Sequence, residues 1–319
     1  MAGWQSFAVT ETGASHTKHG KGCEDFSQNY DHKAVCAAVV SDGHGDDNCF
    51  RSAKGAEWAV RCARAGILGF VEINRLKFAK PLIGKPKPPD KTGFEKSLRD
   101  LVKHIVASWQ VKIEEDYTEF PFTPEELAKA DEKHRKRYEA GQGCNKAYGA
   151  TLIACAVTAH YWFGIHIGDG RLTALYADGT FDQPVPWDER CYLNVTTSIC
   201  DDDAADTARC YFSYHKDKAP PVAVFLCSDG VDDNYPVDGN ERHLFKLYRT
   251  IALTFAEEGF YSTCVQLKDL ANSFATKGKG DDTSIAGFID MDGIKAAARV
   301  WKKQIAQENA QAKMKESSA

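Results

Sequence analysis

No stretch of the 319-residue chain approaches the ~18 consecutive apolar residues of a membrane span. The opening MAGWQSFAVTETG lacks the basic flank and apolar run of a secretory leader, so a cytoplasmic protein with no membrane partner is expected. An excess of one charge is missing too. The 40 Lys and Arg face 45 Asp and Glu, a net charge of -5, which gives no electrostatic footprint for nucleic acid. No C-x-x-C occurs, and the 11 cysteines are odd in number, which argues against a zinc knuckle or a disulfide framework. Cys36, Cys155 and Cys227 lie inside apolar runs, where a reduced thiol behaves as a small hydrophobe.

What is present suits a soluble globular chain of one large domain or two modest ones, with 43% hydrophobic residues. Short runs rich in Val, Ile, Tyr, Phe and Thr, bounded by Gly and Asp, predict strands near residues 4–10, 34–40, 150–157, 161–167, 172–176, 222–227 and 284–289. Asp178-Gly179 within YADGTF predicts a two-residue hairpin and antiparallel pairing. Phe94, Leu98, Leu101, Ile105 and Trp109 recur on one helical face, as do Leu244, Leu247, Ile251 and Phe255, and residues 52–69 predict a further helix. Sheets covered by helices follow, in a layered α/β or α+β domain.

Residues 77–91 are rich in Lys and Pro and predict an exposed extended loop. Residues 123–141, with Thr123 as cap and Pro124 at the first helical position, predict one solvated charged helix. Ile294, Ala298, Trp301 and Ile305 form a stripe on a final helix, expected to pack on the body.

The stretch AAVVSDGHGDD ends an apolar strand on Asp42, and the pattern returns in VFLCSDGVDD at Asp229. Asp169 follows another apolar run in FGIHIGDGR, Asp281 and Asp282 precede one in GKGDDTSIAGFI, and Glu24 and Asp25 stand in CEDF. If these strand ends converge, mutual repulsion would protonate several carboxylates unless a cation held them. Oxygen-loving Mn2+ or Mg2+ is the natural resolution. Two such ions ~3.5 to 4 Å apart, sharing a carboxylate and a water, form a phosphoryl-transfer centre.

In this order, CED, SDGHG, GATL, IGDGR, CSDGVDD and GKGDDTS resemble the motifs of the metal-dependent serine/threonine protein phosphatases of type 2C, over residues 6–290, and the GASHTKHGKGCED opening looks like their bacterial branch. The resemblance implies an α+β fold, a four-layer α-β-β-α sandwich of two mainly antiparallel sheets flanked by helices. It implies a phosphatase domain over residues 1–290, with insertions at about 75–92 and 115–146 and a flap at about 182–219, followed by a helix over 291–319. By the same resemblance Asp42 bridges two Mn2+ or Mg2+ ions, Glu24 and the Gly43 carbonyl complete one, and Asp229 and Asp281 complete the other. Asp169 would sit beside a third, weaker ion, Asp25 would orient the cluster, and His44 would be the general acid for the leaving alkoxide. The implied reaction is attack of a metal-bridging water on phosphoserine or phosphothreonine of a protein substrate, by a monomer.

Three departures accompany it. Gly20 stands where many members have a phosphate-gripping arginine, leaving Lys18, or else Lys21 or His16, for that task. The last motif reads Asp281-Asp282 rather than Asp-Asn, and Gly170 replaces a common serine without expected harm. A D-x-D in FIDMDGI resembles haloacid-dehalogenase phosphotransferases, but only 27 residues follow Asp292, too few for that enzyme's remaining motifs. No cysteine has arginine six positions on, which excludes a cysteine nucleophile. The remaining rival is a catalytically inactive phosphatase-like binding module, which would be expected to have lost a metal-ligating carboxylate.

Overall fold

A segment such as VCAAVVS is apolar on both faces, so as a strand it must be covered on both. In the computed structural model, which describes residues 3–32, 34–78, 90–192, 195–237 and 239–317, every residue of that segment is buried. The described strands are β1 (Trp4–Glu11), β2 (Phe26–His32), β3 (Val35–Ser41), β4 (Leu152–Val157), β5 (Tyr161–Ile167), β6 (Arg171–Leu175), β7 (Phe181–Asp182), β8 (Arg209–Tyr214), β9 (Ala223–Cys227) and β10 (Thr283–Asp290). The helices are α1 (Ala14–Lys18), α2 (Ser52–Phe78), α3 (Lys91–Glu119), α4 (Pro124–Leu127), α5 (Glu132–Glu139), α6 (Ala204–Thr207), α7 (Asp229–Asp232), α8 (Asn240–Glu258), α9 (Phe260–Lys277) and α10 (Met291–Ser317).

One sheet runs β1-β10-β9-β6-β7 and the other β2-β3-β4-β5-β8, with every pairing antiparallel. Alternation along the strands builds the layers. Ala38, Val40, Ile153, Cys155 and Trp162 face Leu172, Val224, Leu226, Ala286 and Phe288 across the sandwich. Their neighbours Ala37, Val39, Ala154 and Phe163 turn outward under Ala59, Ala63, Leu98 and Trp109 of α2 and α3. On the other side Phe225, Ile285 and Ile289 meet Leu244, Tyr248, Leu267 and Trp301 of α8, α9 and α10. This is the four-layer α-β-β-α architecture that the resemblance implies.

Two strands escaped the sequence reading. β2 (FSQNYDH) and β8 (RCYFSY) are edge strands, half-exposed and polar at alternate positions, so neither carries an apolar run. The hairpin between β6 and β7 forms, but its turn is longer than two residues. Tyr176 pairs with Thr180, and Gly179, at φ +83, closes a turn onto the Tyr176 carbonyl. Residues 123–141 form two helices rather than one. The Asp131 side chain accepts from His134 N–H and starts α5, while its own N–H donates to Asn48 Oδ1 at 3.0 Å. The proposed loop at 77–91 largely lies outside the described residues; α2 runs through Phe78, and Asp90 caps α3.

Trp301 anchors α10 to the body. Its indole donates to the Gly179 carbonyl at 3.0 Å and stacks on Phe181, and Ile294 and Ala298 are buried with it; the side chain of Ile305 lies outside the described residues. All 11 cysteines are free, as the odd count and the absence of C-x-x-C lead one to expect, and Cys36, Cys155 and Cys227 are buried. Among the described residues no helix is long and apolar enough to cross a membrane.

Candidate active site

The register of the sheets brings the motif-bearing strand ends to one edge. Phe26 pairs with Ser41, Val40 with Ile153, Leu152 with Ile167 and His166 with Arg209, so the start of β2, the end of β3, the start of β4 and the end of β5 coincide. In the other sheet Cys227 pairs with both Ile285 and Arg171, and Glu11 with Thr283, which aligns the end of β9 with the starts of β10 and β6. The turn carrying Asp169 crosses from one sheet to the other. Asp290 and Asp292 of the D-x-D lie at the far end of β10, whose partners are both antiparallel, which removes the dehalogenase reading.

At the shared edge the carboxylates crowd. The Asp42 and Asp229 carboxyls lie near enough to act on each other's ionisation. Burial, then the charges of Asp229 and Asp25, pushes Asp42 well above the carboxylate range; burial likewise lifts Asp229 to about 7. Asp25 is buried and also raised, chiefly by burial, and accepts from Ser228 Oγ at 2.8 Å while its Oδ1 has no partner. Glu24 accepts from Ser52 Oγ at 2.7 Å through Oε1, and its Oε2 also lacks a hydrogen-bond partner.

His16 joins three acids. Its Nδ1 lies 2.9 Å from Asp282, and its Nε2 lies 3.7 Å from both Glu24 and Asp281. The Asp282 carboxylate also accepts from the backbone N–H of Gly13 and Glu24, whereas Asp281 is half-exposed and near enough to Asp229 to raise its pKa. Lys18 is exposed on the last turn of α1, and Lys21 Nζ reaches the Gly45 carbonyl at 3.3 Å.

The D-G-H-G loop is tied down by its backbone. Gly43 N–H bonds the Glu24 carbonyl at 3.1 Å, and a Cβ on Gly43 would lie 2.6 Å from that oxygen, so only glycine permits the approach. His44 N–H bonds the Gly149 carbonyl at 3.1 Å. Burial lowers the His44 pKa, opposed by the charges of Asp169, Asp201 and Asp46.

Glu24 Oε2 and Asp25 Oδ1, neither with a hydrogen-bond partner, together with acids whose ionisation burial disfavours, fit hard divalent cations: oxygen donors in excess, and no cationic side chain among the causes that shift Asp25, Asp42 or Asp229. Among the described residues, no three His, Cys, Asp or Glu side chains are closed into a group that could hold a metal ion. A cavity lined by Ser6, Phe7, Val9, Asn29, Cys264 and Leu267 lies along the middle of β1, not at this edge.

Comparison with known proteins decides the family. The protein phosphatase 2C family matches residues 12–272, well over half of the chain. The chain belongs to the protein phosphatase 2C family. No curated protein sequence matches it. Among solved structures, a bacterial serine phosphatase is similar at 15% identity and a TM-score of 0.52, covering 90% of this chain and 97% of that one. Stp1 from Staphylococcus aureus, a serine/threonine phosphatase, is similar at 15% identity and a TM-score of 0.50, with 90% and 94% covered. PppA, a regulatory component of T6SS in Pseudomonas aeruginosa, gives 15% and 0.50, with 90% and 97% covered. At such identities these likenesses speak for the fold.

For this member of the protein phosphatase 2C family, the motif residues left without a role now have one. Thr151 of GATL accepts from Asp42 N–H through Oγ1 at 3.0 Å and donates its own N–H to the Asp42 carbonyl at 2.8 Å, locking the β3 end. Arg171 of GDGR pairs with buried Asp232 of SDGVDD at 2.7 Å, joining the Asp169 turn to the helix that starts at Asp229. Both signals were in the quoted motifs. Asp201 and Lys146, 3.3 Å apart beside His44, carried none.

Proposed function

We propose that the protein is a Mn2+- or Mg2+-dependent phosphomonoesterase acting on phosphoserine and phosphothreonine of proteins. The carrying observation is the register that brings acid-bearing strand ends of both sheets to one edge, with Asp42 and Asp229 near enough to act on each other's ionisation. Membership of a metal-dependent phosphatase family supports the reading. Asp42 would serve two ions, Glu24 and the Gly43 carbonyl one of them, Asp229 and Asp281 the other, and Asp169 a third. Asp281 suits that role better than Asp282, whose oxygens are already taken by Gly13 N–H, Glu24 N–H and His16. When bound, the ions would supply an activated water and positive charge against the phosphate.

The remaining steps belong to the chain. Asp25, held by Ser228, orients the cluster from behind. His44, fixed through its backbone, donates a proton to the departing serine or threonine oxygen; an imidazolium destabilised by burial gives that proton up readily. Lys18 and Lys21 stand on the α1 side to receive the phosphate, and Lys21 is already directed to Gly45.

The test is hydrolysis of an aryl phosphate with manganese and with chelator. Turnover should require manganese, and Asp42→Ala should abolish it and weaken manganese binding. Wild-type activity in Asp42→Ala would refute the assignment. Gly20 at the arginine position is the one feature favouring an inactive binding module, and absence of manganese-dependent turnover in the wild type would establish that reading instead.

A further inference from the structure

The turn Ile167-Gly168-Asp169 is held by residues far along the chain. Gly168 has φ +108, and a Cβ there would lie 2.6 Å from Thr151, the residue bonded on both sides to Asp42. The peptide groups flanking Gly168 are both engaged. Its N–H donates to Thr197 Oγ1 at 3.0 Å, and its carbonyl accepts from Arg209 Nη2 at 2.6 Å. These two partners converge on one buried carboxylate: Thr197 Oγ1 donates to Asp188 Oδ2 at 3.2 Å, and Arg209 Nε lies 3.6 Å from the same oxygen. Asp188 is in turn gripped by both forks of Arg190, at 3.0 and 2.8 Å. The other arm of Arg209 donates to the Pro186 carbonyl at 2.8 Å. On the far side of Asp169, the Arg171 guanidinium lies 3.9 Å from the Trp187 ring centre.

A largely buried guanidinium is costly to desolvate, and a loop that only needed filling would be served as well by an apolar side chain. What the planar fork adds is direction. It reads two carbonyl oxygens at once and fixes the peptide immediately before Asp169. We propose that Thr197, Arg209 and Asp188 form a positioning network that sets the Asp169 carboxylate relative to Asp42. The role rests on the reading of Asp169 as a ligand of the metal centre, and none of the three side chains need touch substrate.

The test compares Thr197→Val, Thr197→Ser, Arg209→Met, Asp169→Asn and the double variant Thr197→Val/Asp169→Asn. Thr197→Val is the primary probe, because it keeps the shape and deletes the acceptor, whereas Arg209→Met leaves Asp188 short of a cation and lowers stability. Manganese binding by calorimetry is measured alongside kcat and KM on an aryl phosphate. Thr197→Val and Arg209→Met should lower kcat about tenfold with KM nearly unchanged, and weaken the weakest manganese-binding step as Asp169→Asn does. Thr197→Ser should restore both, and the double variant should be no slower than Asp169→Asn alone. Losses that multiply in the double variant, or a wild-type isotherm in Thr197→Val, would overturn the proposal, as would full activity in Asp169→Asn. If the wild type hydrolyses nothing, the phosphatase reading fails while the isotherms still judge the network.

Discussion

Asp229 carries a penalty that depends on pH. Its carboxyl sits at about 7 in the folded chain against a usual value of 3.8, because burial disfavours the anion. Below about pH 4 both folded and unfolded chains are protonated here and the group costs nothing; as pH rises the unfolded chain ionises first, so stability is lost, and the loss is complete above about 7. Chelator-treated protein should therefore melt at a lower temperature at pH 7.5 than at pH 5, and manganese should raise Tm more at pH 7.5. Asp229→Asn should flatten the chelated profile; an unchanged slope would place the titrating group elsewhere. His44 makes a separate prediction. His44→Ala should slow alkyl phosphates, whose leaving groups need a proton, by about 10²-fold or more, and barely affect a nitrophenyl ester. Equal losses across leaving groups would contradict proton donation. Asp42, Asp169, Asp229 and Asp281 were legible because each follows or precedes an apolar run with glycine beside it, whereas Glu24 and Asp25 rested on the CED motif. His16 stands behind Lys18 among the phosphate-binding candidates, level with Lys21, since nothing local to GASHTKHG reveals that its ring meets Glu24, Asp281 and Asp282.

Arg51 is where an element is fastened to the site. It immediately precedes Ser52, whose hydroxyl holds Glu24, and its guanidinium grips Glu126 of α4 through two bonds at 2.7 and 2.8 Å. It also donates to Tyr148 Oη at 2.7 Å, which passes a bond to buried Asp116 of α3, and to the Phe120 carbonyl at 2.8 Å. Arg51→Met strips these acceptors together and should cost about 3 kcal/mol, several degrees of Tm, while Glu126→Gln, which keeps the shape and leaves Asp116 served by Lys54, should cost less. Equal melting temperatures for Arg51→Met and wild type would show the clamp to be idle. The sequence reading took residues 123–141 for a solvated helix, and locally that is sound: the capping box of Thr123 and Glu126 is present. The break at Asp131 and the burial of Tyr138 arise from Asn48, which takes a bond from each and lies about one-quarter of the chain away. Period and capping report the element's own preferences; they carry no trace of a docking partner at that distance. The polar edge strands β2 and β8 were missed for a related reason, as their partners cover one side only.

Across the molecule, each sheet carries part of the acid cluster: Glu24, Asp25 and Asp42 border β2 and β3, while Asp229 and Asp281 border β9 and β10. Neither sheet alone gathers the set, so the sandwich layer that stacks them is what assembles the site. Phe288 lies fully buried in that layer, edge-on to Trp4 at 5.3 Å. Phe288→Ala should cost about 3–5 kcal/mol by opening a cavity between the sheets. A ligand that binds only the folded state adds stability by mass action, ~2.7 kcal/mol at a hundredfold excess over its Kd. If manganese bridges the two sheets, then Glu24→Ala from one and Asp229→Ala from the other should each lose most of that increment. The chelated Tm of Asp229→Ala should hold or rise, because a carboxylate whose ionisation burial disfavours is removed. Phe288→Ala should do the opposite, lowering the baseline while keeping most of the increment. Thermal unfolding of the three variants with manganese and with chelator separates these patterns. An increment lost in only one of the two acid variants would confine the metal to a single sheet, and the shared centre would not stand.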